Sequence, residues 1–281
     1  MITITATSRT DRGRVRKTNE DAIALCEPST TQERSHLGRL YLLCDGAGGH
    51  AAGEVASRMA TQTIARTYYD RNAFAQPTKE ILRLDGSKER HLDGLSSTMD
   101  LPLQSIRHAF VTAHKRITQL SALASQYCGM ATTCVAAVVK EHMVLIAHIG
   151  DSRAYLLRAS RDEAPAFIRL TTDHSLVNEL IQAGVLTTAQ GQASTQRNVL
   201  TRMLGGQQES NPLPDITTCH IRAGDQLLLC CDGLWSMMPE EQIEQVVKNH
   251  EPQQACDELI RLANAAGGKD NISVILVSFT G

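Results

Sequence analysis

An apolar run leads directly into an aspartate and a glycine at Tyr41-Leu42-Leu43-Cys44-Asp45-Gly46, and the pattern returns at Leu227-Leu228-Leu229-Cys230-Cys231-Asp232-Gly233. Each run has the length and apolar character of a buried strand. The end of a strand is a rigid position, and the glycine lets another group or an ion approach the backbone closely. The two stretches therefore predict carboxylates held at strand ends, as they are around a metal ion.

Two further stretches have a related pattern. The match is less complete in Ala147-His148-Ile149-Gly150-Asp151-Ser152, where serine rather than glycine follows the aspartate. The order is reversed in Asp270-Asn271, which precedes the apolar run from Ile272. A single Asp-Gly pair is usually only a turn. Four aspartates at the ends of apolar strands are harder to explain as turns. If they converge, cations must accompany them, because two unpaired carboxylates about 4 Å apart repel by about 4 kcal/mol at an effective dielectric of about 20. Hard oxygen ligands favour Mg²⁺ or Mn²⁺ over zinc.

Composition limits the class of protein. The 281 residues are 42% hydrophobic and 21% charged, within the range of one large globular domain or two small ones. Basic and acidic residues number 28 and 30 and are mixed along the chain, so neither nucleic acid nor a membrane is favoured as a partner.

The N-terminus lacks a secretory pattern and the longest apolar runs are too short to span a bilayer, which predicts a cytoplasmic protein. The cysteines in apolar runs are predicted to be buried thiols, namely Cys44, Cys134, Cys230 and Cys231.

Apolar and alternating segments predict a strand-rich chain. Short connections suggest hairpins at Lys140-Glu141-His142 and at Arg222 to Asp225, so much of the sheet should be antiparallel. The predicted strands are Ile2 to Thr7, Ala22 to Cys26, Leu40 to Cys44, Thr132 to Val139, Met143 to Ile149, Ala154 to Leu157, Ile216 to Ile221, Gln226 to Cys231 and Ile272 to Phe279.

Helical periodicity predicts four longer helices. Two are expected around Ala52 to Ala60 and Ile106 to Leu120, and two amphipathic segments follow at Pro239 to Lys248 and Gln253 to Ala265. Strands and helices thus come in blocks, which favours an α+β fold with helices packed over sheets rather than an alternating parallel fold.

Two connecting regions are long. Residues 70–100 are charged and broken by Pro77, Gly86 and Gly94, which predicts a surface excursion. Residues 174–206 are expected to hold a short helix ending near Gly184 and then a polar stretch, which we interpret as a mobile flap.

Besides the aspartates at strand ends, the chain carries further short motifs in a set order. They are Arg16-x-x-Asn19-Glu20-Asp21, Asp45-Gly46-Ala47-Gly48-Gly49-His50, Ala131-Thr132-Thr133, Gly150-Asp151-Ser152-Arg153, Asp173-His174-Ser175-Leu176, Asp232-Gly233 and Asp270-Asn271. Together they resemble the metal-dependent protein phosphatase family (PPM, type 2C) in its bacterial form. The resemblance covers essentially the whole chain, so we expect residues 1–281 to form a single domain of this type.

The resemblance implies a four-layer α/β/β/α sandwich, in which pairs of helices flank two mainly antiparallel sheets. It also implies a binuclear metal site at one end of the sandwich. Asp45 would bridge the two ions, the Gly46 carbonyl would complete the coordination of one, and Asp232 and Asp270 would hold the other.

The same resemblance assigns roles around the two ions. Glu20 and Asp21 would act mainly through metal-bound water, and Asp151 would belong to a weaker third metal site shared with Asp232. Arg16 would clamp the substrate phosphate, because its planar fork matches two oxygens better than a lysine does.

The implied reaction is hydrolysis of phosphoserine or phosphothreonine by a metal-activated water, without a covalent enzyme intermediate. The leaving alkoxide would take a proton from metal-bound water or from a nearby imidazole. His50 is the candidate imidazole, and a solvated histidine near a helix start is an equal alternative. Ala47 and Ala131 depart from the bacterial pattern, where methionine and glycine are expected, and both changes concern packing or backbone freedom rather than ligands.

Other residues in the motifs have structural interpretations. Asp173 and His174 are predicted to anchor the flap or cap a helix, and Arg153 is predicted to be an ion-pair partner rather than a substrate ligand.

Parts of the sequence also match patterns of other functions. Gly46-x-Gly48-x-x-Ala51 follows a strand and opens a helix, as in a dinucleotide-binding fingerprint, but the second parallel strand of that unit is missing. Cysteine phosphatase and Walker patterns are absent from the sequence. The remaining alternative is a catalytically silent phosphatase-like module that binds or senses phosphopeptides. Loss of a metal aspartate or of Arg16 would favour it, and the sequence retains all of them.

The expected partner is a phosphoprotein substrate, such as a bacterial serine/threonine kinase or a forkhead-associated protein, in a signalling pathway. That expectation rests on the family alone. A monomer is expected, and substrate specificity is predicted to lie in residues 70–100 and 174–206.

Overall fold

The computed structural model describes residues 2–47, 51–70, 88–92, 97–159, 166–206 and 212–281, with only the backbone of Ala51. Two short 3₁₀ helices cover Ser97–Met99 and Ser125–Tyr127. The α-helices of these ranges are α1 (Thr31–His36), α2 (Ala51–Tyr69), α3 (Asp100–Leu123), α4 (Leu176–Gln182), α5 (Thr188–Ala193), α6 (Asp232–Trp235), α7 (Glu240–Asn249) and α8 (Pro252–Ala265).

The strands form two sheets. The smaller sheet has the order β1-β13-β12-β8-β9, and the larger has the order β10-β5-β3-β6-β7-β11-β4, with β2 paired to β3. All pairings are antiparallel except β4 with β11. The strands are β1 (Thr3–Asp11), β2 (Asp21–Cys26), β3 (Arg39–Ala47), β4 (Glu89–His91), β5 (Ala131–Thr132), β6 (Cys134–Lys140), β7 (Met143–Ile149), β8 (Arg153–Arg158), β9 (Ala166–Arg169), β10 (Leu204–Gly205), β11 (Asp215–His220), β12 (Gln226–Cys230) and β13 (Ile272–Thr280).

The two sheets pack face to face, with helices on both outer sides. One hydrophobic cluster fills the space between the sheets, a second joins the larger sheet to α2 and α3, and a third joins the smaller sheet to α7 and α8. Every residue of β6 and β7 is buried, because both faces of these strands are covered. The predicted α+β class and four-layer sandwich are confirmed.

The predicted hairpin at Lys140-Glu141-His142 is confirmed. Lys140 of β6 pairs with Met143 of β7, which leaves two residues in the turn. Glu141 has a positive φ of 54°, a conformation that a two-residue hairpin turn requires.

The predicted hairpin at Arg222 to Asp225 is wrong. The strand before this turn, β11, belongs to the larger sheet, and the strand after it, β12, belongs to the smaller sheet. The turn therefore carries the chain from one sheet to the other. The buried Asp225 carboxylate accepts hydrogen bonds from the backbone N–H of Arg222 (2.9 Å) and of Ala159 (2.8 Å) and pairs with Arg158 (3.2 Å). Local patterns indicated a tight turn, but they could not indicate which sheet each flanking strand joins.

The two long connecting regions contain more structure than the sequence predicted. Within residues 70–100, the structure describes only residues 70, 88–92 and 97–100, and β4 adds a strand to the edge of the larger sheet. Within residues 174–206, α4 ends at Gln182 near the predicted stop, and α5 forms a second short helix. Thr187 and Gln190 close a reciprocal capping box at the start of α5, a signal in the sequence that our prediction missed.

The four longer predicted helices are present as α2, α3, α7 and α8. Pro239 is the N-cap of α7 rather than its first helical residue. No helix among the described ranges combines the length and the apolar character that crossing a bilayer requires. All eight cysteines are free thiols, and the four predicted to be buried are buried.

We predict that Asp225→Ala lowers the free energy of unfolding by about 3 kcal/mol, because it removes a buried carboxylate that accepts from two backbone N–H groups and pairs with Arg158. Asp257→Ala is the matched control. Asp257 pairs with Arg9 at 2.5 Å, but both side chains are about half exposed, so the expected loss is below about 1 kcal/mol. Urea unfolding of both variants checks the prediction, and equal losses would contradict it.

Candidate metal centre

The predicted aspartates meet in one cleft at an end of the sandwich. Asp45 lies near the end of β3, Asp232 begins α6 directly after β12, and Asp270 directly precedes the segment that enters β13. Asp21 begins β2 and pairs in register with Asp45. The cleft has a volume of about 310 Å³ and is lined by Arg16, Glu20, Asp45, Gly46, Ala47, Thr133, Asp151, Asn198, Leu200, Asp232, Asp270 and Asn271.

The glycines after Asp45 and Asp232 are required by close backbone contacts. A Cβ atom at Gly46 would overlap the carbonyl oxygen of Gly53 in α2, and one at Gly233 would overlap the carbonyl oxygen of Asn271. The N-terminal part of α2 and the segment before β13 can therefore approach the ends of β3 and β12. This is the close approach that the Asp-Gly pattern predicted.

Two threonines hold the backbone of Asp45. The backbone N–H of Asp45 donates to Thr133 Oγ1 at 3.2 Å, and Asp45 O accepts from Thr133 N–H and from the Thr132 hydroxyl, each at 2.8 Å. The Thr133 hydroxyl also shares a 2.7 Å hydrogen bond with that of Ser152, which follows Asp151. The Ala131-Thr132-Thr133 motif thus positions the aspartate at the centre of the cleft.

Burial and mutual repulsion act on these carboxylates. Burial raises the pKa of Asp45 well above its usual value, and the charges of Asp21, Asp232, Asp151 and Asp270 raise it further. Burial, followed by the Asp270 charge, raises the pKa of Asp232 to about 6. The pKa of Asp21 rises to about 7, mainly through burial. Their ionised forms therefore need positive charge nearby at neutral pH.

The donor set fits hard divalent cations. The cleft presents carboxylate and carbonyl oxygens, and Oδ1 of Asp21 is buried without a hydrogen-bond partner within the described ranges. Oxygen ligands of this kind suit Mg²⁺ or Mn²⁺. A thiol also lies close, since ligand atoms of Asp21, Asp45 and Cys231 are within 4.8 Å of one another. The Cys231 thiol donates to the carbonyl oxygen of Asn271 at 3.3 Å, and its sulfur accepts the backbone N–H of Ser273 at 3.1 Å.

Arg16 lies at the mouth of the cleft and pairs with Asp270. Its Nη2 is 2.6 Å from Asp270 Oδ2, and the two side chains are 50% and 31% exposed. An ion pair this open to solvent is weak, so Arg16 can exchange Asp270 for another anion. The position suits the predicted contact with phosphate.

Asp151 follows β7 and lies on the other side of the cleft, where it is buried. Burial, then the charges of Asp232 and Asp173, raises its pKa well above the usual value. The indole N–H of Trp235 in α6 donates to the carbonyl oxygen of Asp151 at 3.0 Å. Trp235 was not among the predicted site residues.

Asn271 is the site residue whose role the sequence analysis missed. Its Oδ1 accepts the backbone N–H of Glu20 at 2.8 Å, and its Nδ2 donates to the carbonyl oxygens of Arg12 and Thr18, both at 2.9 Å. One amide thus joins the segment before β13 to the segment that carries Arg16 and Glu20. The Asp270-Asn271 motif held the signal, but only the aspartate was interpreted.

The remaining predictions have mixed outcomes. Glu20 is buried and its backbone carbonyl accepts from Gly46 N–H at 3.2 Å, so it lies beside Asp45 as expected. Arg153 pairs with Asp173 at 2.7 Å, which confirms its ion-pair role.

His50 lies outside the described residues. The flap reaches the site, because Asn198 and Leu200 line the cleft.

Known proteins of similar sequence and structure are described as serine/threonine phosphatases. A family model described as protein phosphatase 2C matches residues 6–272. The serine/threonine phosphatase stp of Listeria monocytogenes serotype 4b (strain F2365) is 34% identical over 270 residues, covering 96% of this chain and 93% of that protein. The solved serine/threonine phosphatase of S. agalactiae has a TM-score of 0.78 at 30% identity, with 98% and 99% of the two chains covered. The catalytic domain of the serine/threonine protein phosphatase PstP, solved in complex with 2 manganese ions, has a TM-score of 0.74 at 28% identity, with 100% of both chains covered.

We predict that the metal-free protein loses stability as the pH rises from 5 to 8. Asp21 and Asp232 have folded-state pKa values of about 7 and about 6, above the usual 3.8. The stability that their protonated forms contribute is complete below about pH 4 and is lost as the pH passes 6 to 7. The expected loss between pH 5 and 8 is on the order of 3 kcal/mol.

Thermal unfolding in a chelating buffer measures this effect, with the Asp21→Asn/Asp232→Asn double variant as the control. The double variant should show a flatter pH dependence, because it lacks both titrating carboxylates. The prediction is refuted if the unfolding temperature of the wild-type protein falls no more steeply with pH than that of the double variant.

Proposed function

The chain belongs to the protein phosphatase 2C family and is a serine/threonine phosphatase, and from this premise we propose that it hydrolyses phosphoproteins at a pair of divalent cations. The observation that carries the proposal is the convergence of Asp45, Asp151, Asp232 and Asp270 in one cleft. Burial raises the pKa of the first three, so cations are the natural counter-charge.

The family resemblance supplies the ligands, which lie in or beside the cleft. Asp45, the Gly46 carbonyl, Asp232 and Asp270 would hold the pair of ions. Glu20 and Asp21 would act mainly through metal-bound water, and Asp151 with Asp232 would serve a weaker third site. The two manganese ions of the PstP domain support a pair of ions, and the oxygen donors are compatible with either Mg²⁺ or Mn²⁺.

The chemistry divides between the cations and the chain. When bound, the cations lower the pKa of water and neutralise phosphate charge. Arg16 at the cleft mouth binds two phosphate oxygens and aligns the phosphorus with the attacking oxygen. Asp45 keeps its orientation because Thr132 and Thr133 hold its backbone. Asn198 and Leu200 of the flap line the cleft. Proton donation by His50 stays a prediction.

Substrate identity is the finer part of the proposal. A phosphoserine or phosphothreonine protein in a signalling pathway, such as a bacterial kinase or a forkhead-associated protein, is the expected partner. The cytoplasmic location, the monomeric state and the specificity roles of residues 70–100 and 174–206 stay predictions. The alternative, a catalytically silent module, is disfavoured because Arg16 and the metal aspartates are all present.

We predict Mn²⁺-dependent hydrolysis of p-nitrophenyl phosphate and of a phosphothreonine peptide, abolished by chelator and restored by added metal. Asp232→Asn should lower kcat/KM by about 100-fold or more, because a carboxylate ligand is replaced by a neutral amide. Asp257→Asn, in an exposed ion pair on α8, is the control and should leave activity unchanged. A folded, Mn²⁺-loaded wild-type protein without activity would favour the silent module.

We predict that Arg16→Ala raises KM for the phosphopeptide by about 10-fold or more, because the substrate loses a bidentate charge-assisted contact. Arg16→Lys should lie between alanine and wild type, because lysine keeps the charge without the planar fork. Steady-state kinetics measure the effect, and Arg34→Ala on α1 is the control. Unchanged KM in Arg16→Ala would remove Arg16 from the phosphate site.

A further inference from the structure

A second cluster of buried polar side chains lies beside the aspartate cleft. It consists of the buried residues His148 on β7, His174 at the root of the flap and Asp215 on β11, together with the half-buried Arg202 near the end of the flap. The rings of His148 and His174 stack with their centroids 4.8 Å apart. None of these residues was given a catalytic role in the sequence analysis.

The cluster has the composition of a metal site but already contains a cation. Ligand atoms of His148, His174 and Asp215 lie within 4.8 Å of one another. The Arg202 guanidinium is 2.6 Å from Asp215 Oδ1 and 2.9 Å from His174 Nε2, and it also donates to the carbonyl oxygen of Leu213. Because the guanidinium compensates Asp215, a second cation here would be repelled. The cluster is therefore better explained by the hydrogen bonds it makes.

The His174 ring connects the cluster to the aspartate cleft. Its Nδ1 accepts the backbone N–H of Gly150 at 3.1 Å, and its Nε2 is 3.2 Å from Asp215 Oδ2. Burial lowers the pKa of His174, which favours the neutral ring. A neutral imidazole has one donor, so acceptance at Nδ1 places the proton on Nε2. Of the two groups near Nε2, only Asp215 Oδ2 can accept this proton, because Arg202 Nη1 at 2.9 Å is itself a donor.

The backbone of His174 adds to this connection. Its N–H donates to the carbonyl oxygen of Gly150 at 3.0 Å, and its carbonyl oxygen accepts the N–H of Thr201 at 2.9 Å. Ser175 forms a bridge with Leu200, which lines the cleft. One residue thus joins both ends of the flap to the Gly150-Asp151 turn.

The Gly150-Asp151 turn needs this support. Gly150 has a φ of +99°, and a Cβ there would lie 2.6 Å from that of Thr133, so the turn is packed tightly against the residue that holds Asp45. The next residue, Ser152, bonds to the Thr133 hydroxyl. Hydrogen bonds therefore run from Arg202 through Asp215, His174 and the Gly150 turn towards Asp45.

We propose that His174 is a positioning residue for the phosphatase reaction, whose Nδ1 holds the Gly150-Asp151 turn and links the placement of Asp151 to the root of the flap. The role of Asp151 as a ligand of the weaker metal site rests on the proposed function. The support that His174 gives to the Gly150-Asp151 turn does not rest on the proposed function, because it depends only on contacts within the protein.

Two substitutions of the same residue separate its two nitrogens. His174→Asn places an amide oxygen near the Nδ1 position, where it can accept from Gly150 N–H. His174→Gln places its amide near the Nε2 position, which keeps a donor for Asp215 and loses the acceptor for Gly150. Both replace a buried ring with a buried amide, so their general cost to packing is similar.

The readouts are hydrogen exchange of the Gly150 amide in the metal-free protein and the Mn²⁺ dependence of kcat. In His174→Gln we expect exchange about 10-fold faster or more. We also expect the half-saturating Mn²⁺ concentration to rise about 10-fold or more, with kcat recovering at saturating metal. His174→Asn should stay within a few-fold of wild type in both. Equal behaviour of the two variants in either readout, or a larger defect in His174→Asn, would overturn the proposal.

A measurement on the wild-type protein covers the case in which a variant does not fold. The ¹⁵N shifts of the His174 ring at pH 7 should report a neutral imidazole protonated at Nε2, and a proton on Nδ1 would overturn the proposal. Failure of the proposed function would appear separately, as absence of Mn²⁺-dependent hydrolysis by wild type. The exchange and tautomer measurements remain decisive in that case.

Discussion

Electrostatic repulsion among carboxylates that are surrounded by protein is the constraint on which this structure depends. Asp21 and Asp45 face each other across paired strands, and Asp232 and Asp270 close the same cleft. Burial raises the pKa of three of them, so the arrangement is costly at neutral pH unless positive charge enters the cleft. A fold that tolerates this cost gains carboxylates already gathered in one place, where they can compensate a cation.

The sandwich tolerates the cost because rigid elements hold the ligands. Asp45 and Asp232 are at the ends of strands in different sheets, so the packing between the sheets sets their distance. The glycines after them allow α2 and the segment before β13 to approach. Threonine hydroxyls and the Asn271 amide satisfy the backbone groups around the cleft. Preorganisation of this kind places functional side chains more accurately than loops can.

The aspartate cleft is also connected to the flap. The short helices α4 and α5 project from a root where His174 is hydrogen-bonded on both sides, to Gly150 and to Thr201. The ion pair between Arg153 and Asp173 lies at the same root. The flap therefore joins the site next to Asp151 rather than next to Asp45.

The sequence by itself determined the strands, the four longer helices, the α+β class and the aspartates at strand ends, because periodicity and turn residues are local properties. Only the tertiary structure decided that the turn at Arg222 to Asp225 crosses between sheets, that Asp21 faces Asp45, and that Asn271 joins the segment before β13 to the segment that carries Arg16 and Glu20. These contacts connect residues whose separation ranges from about twenty to more than two hundred positions. Their geometry follows from which faces pack together, and no short-range pattern encodes that choice.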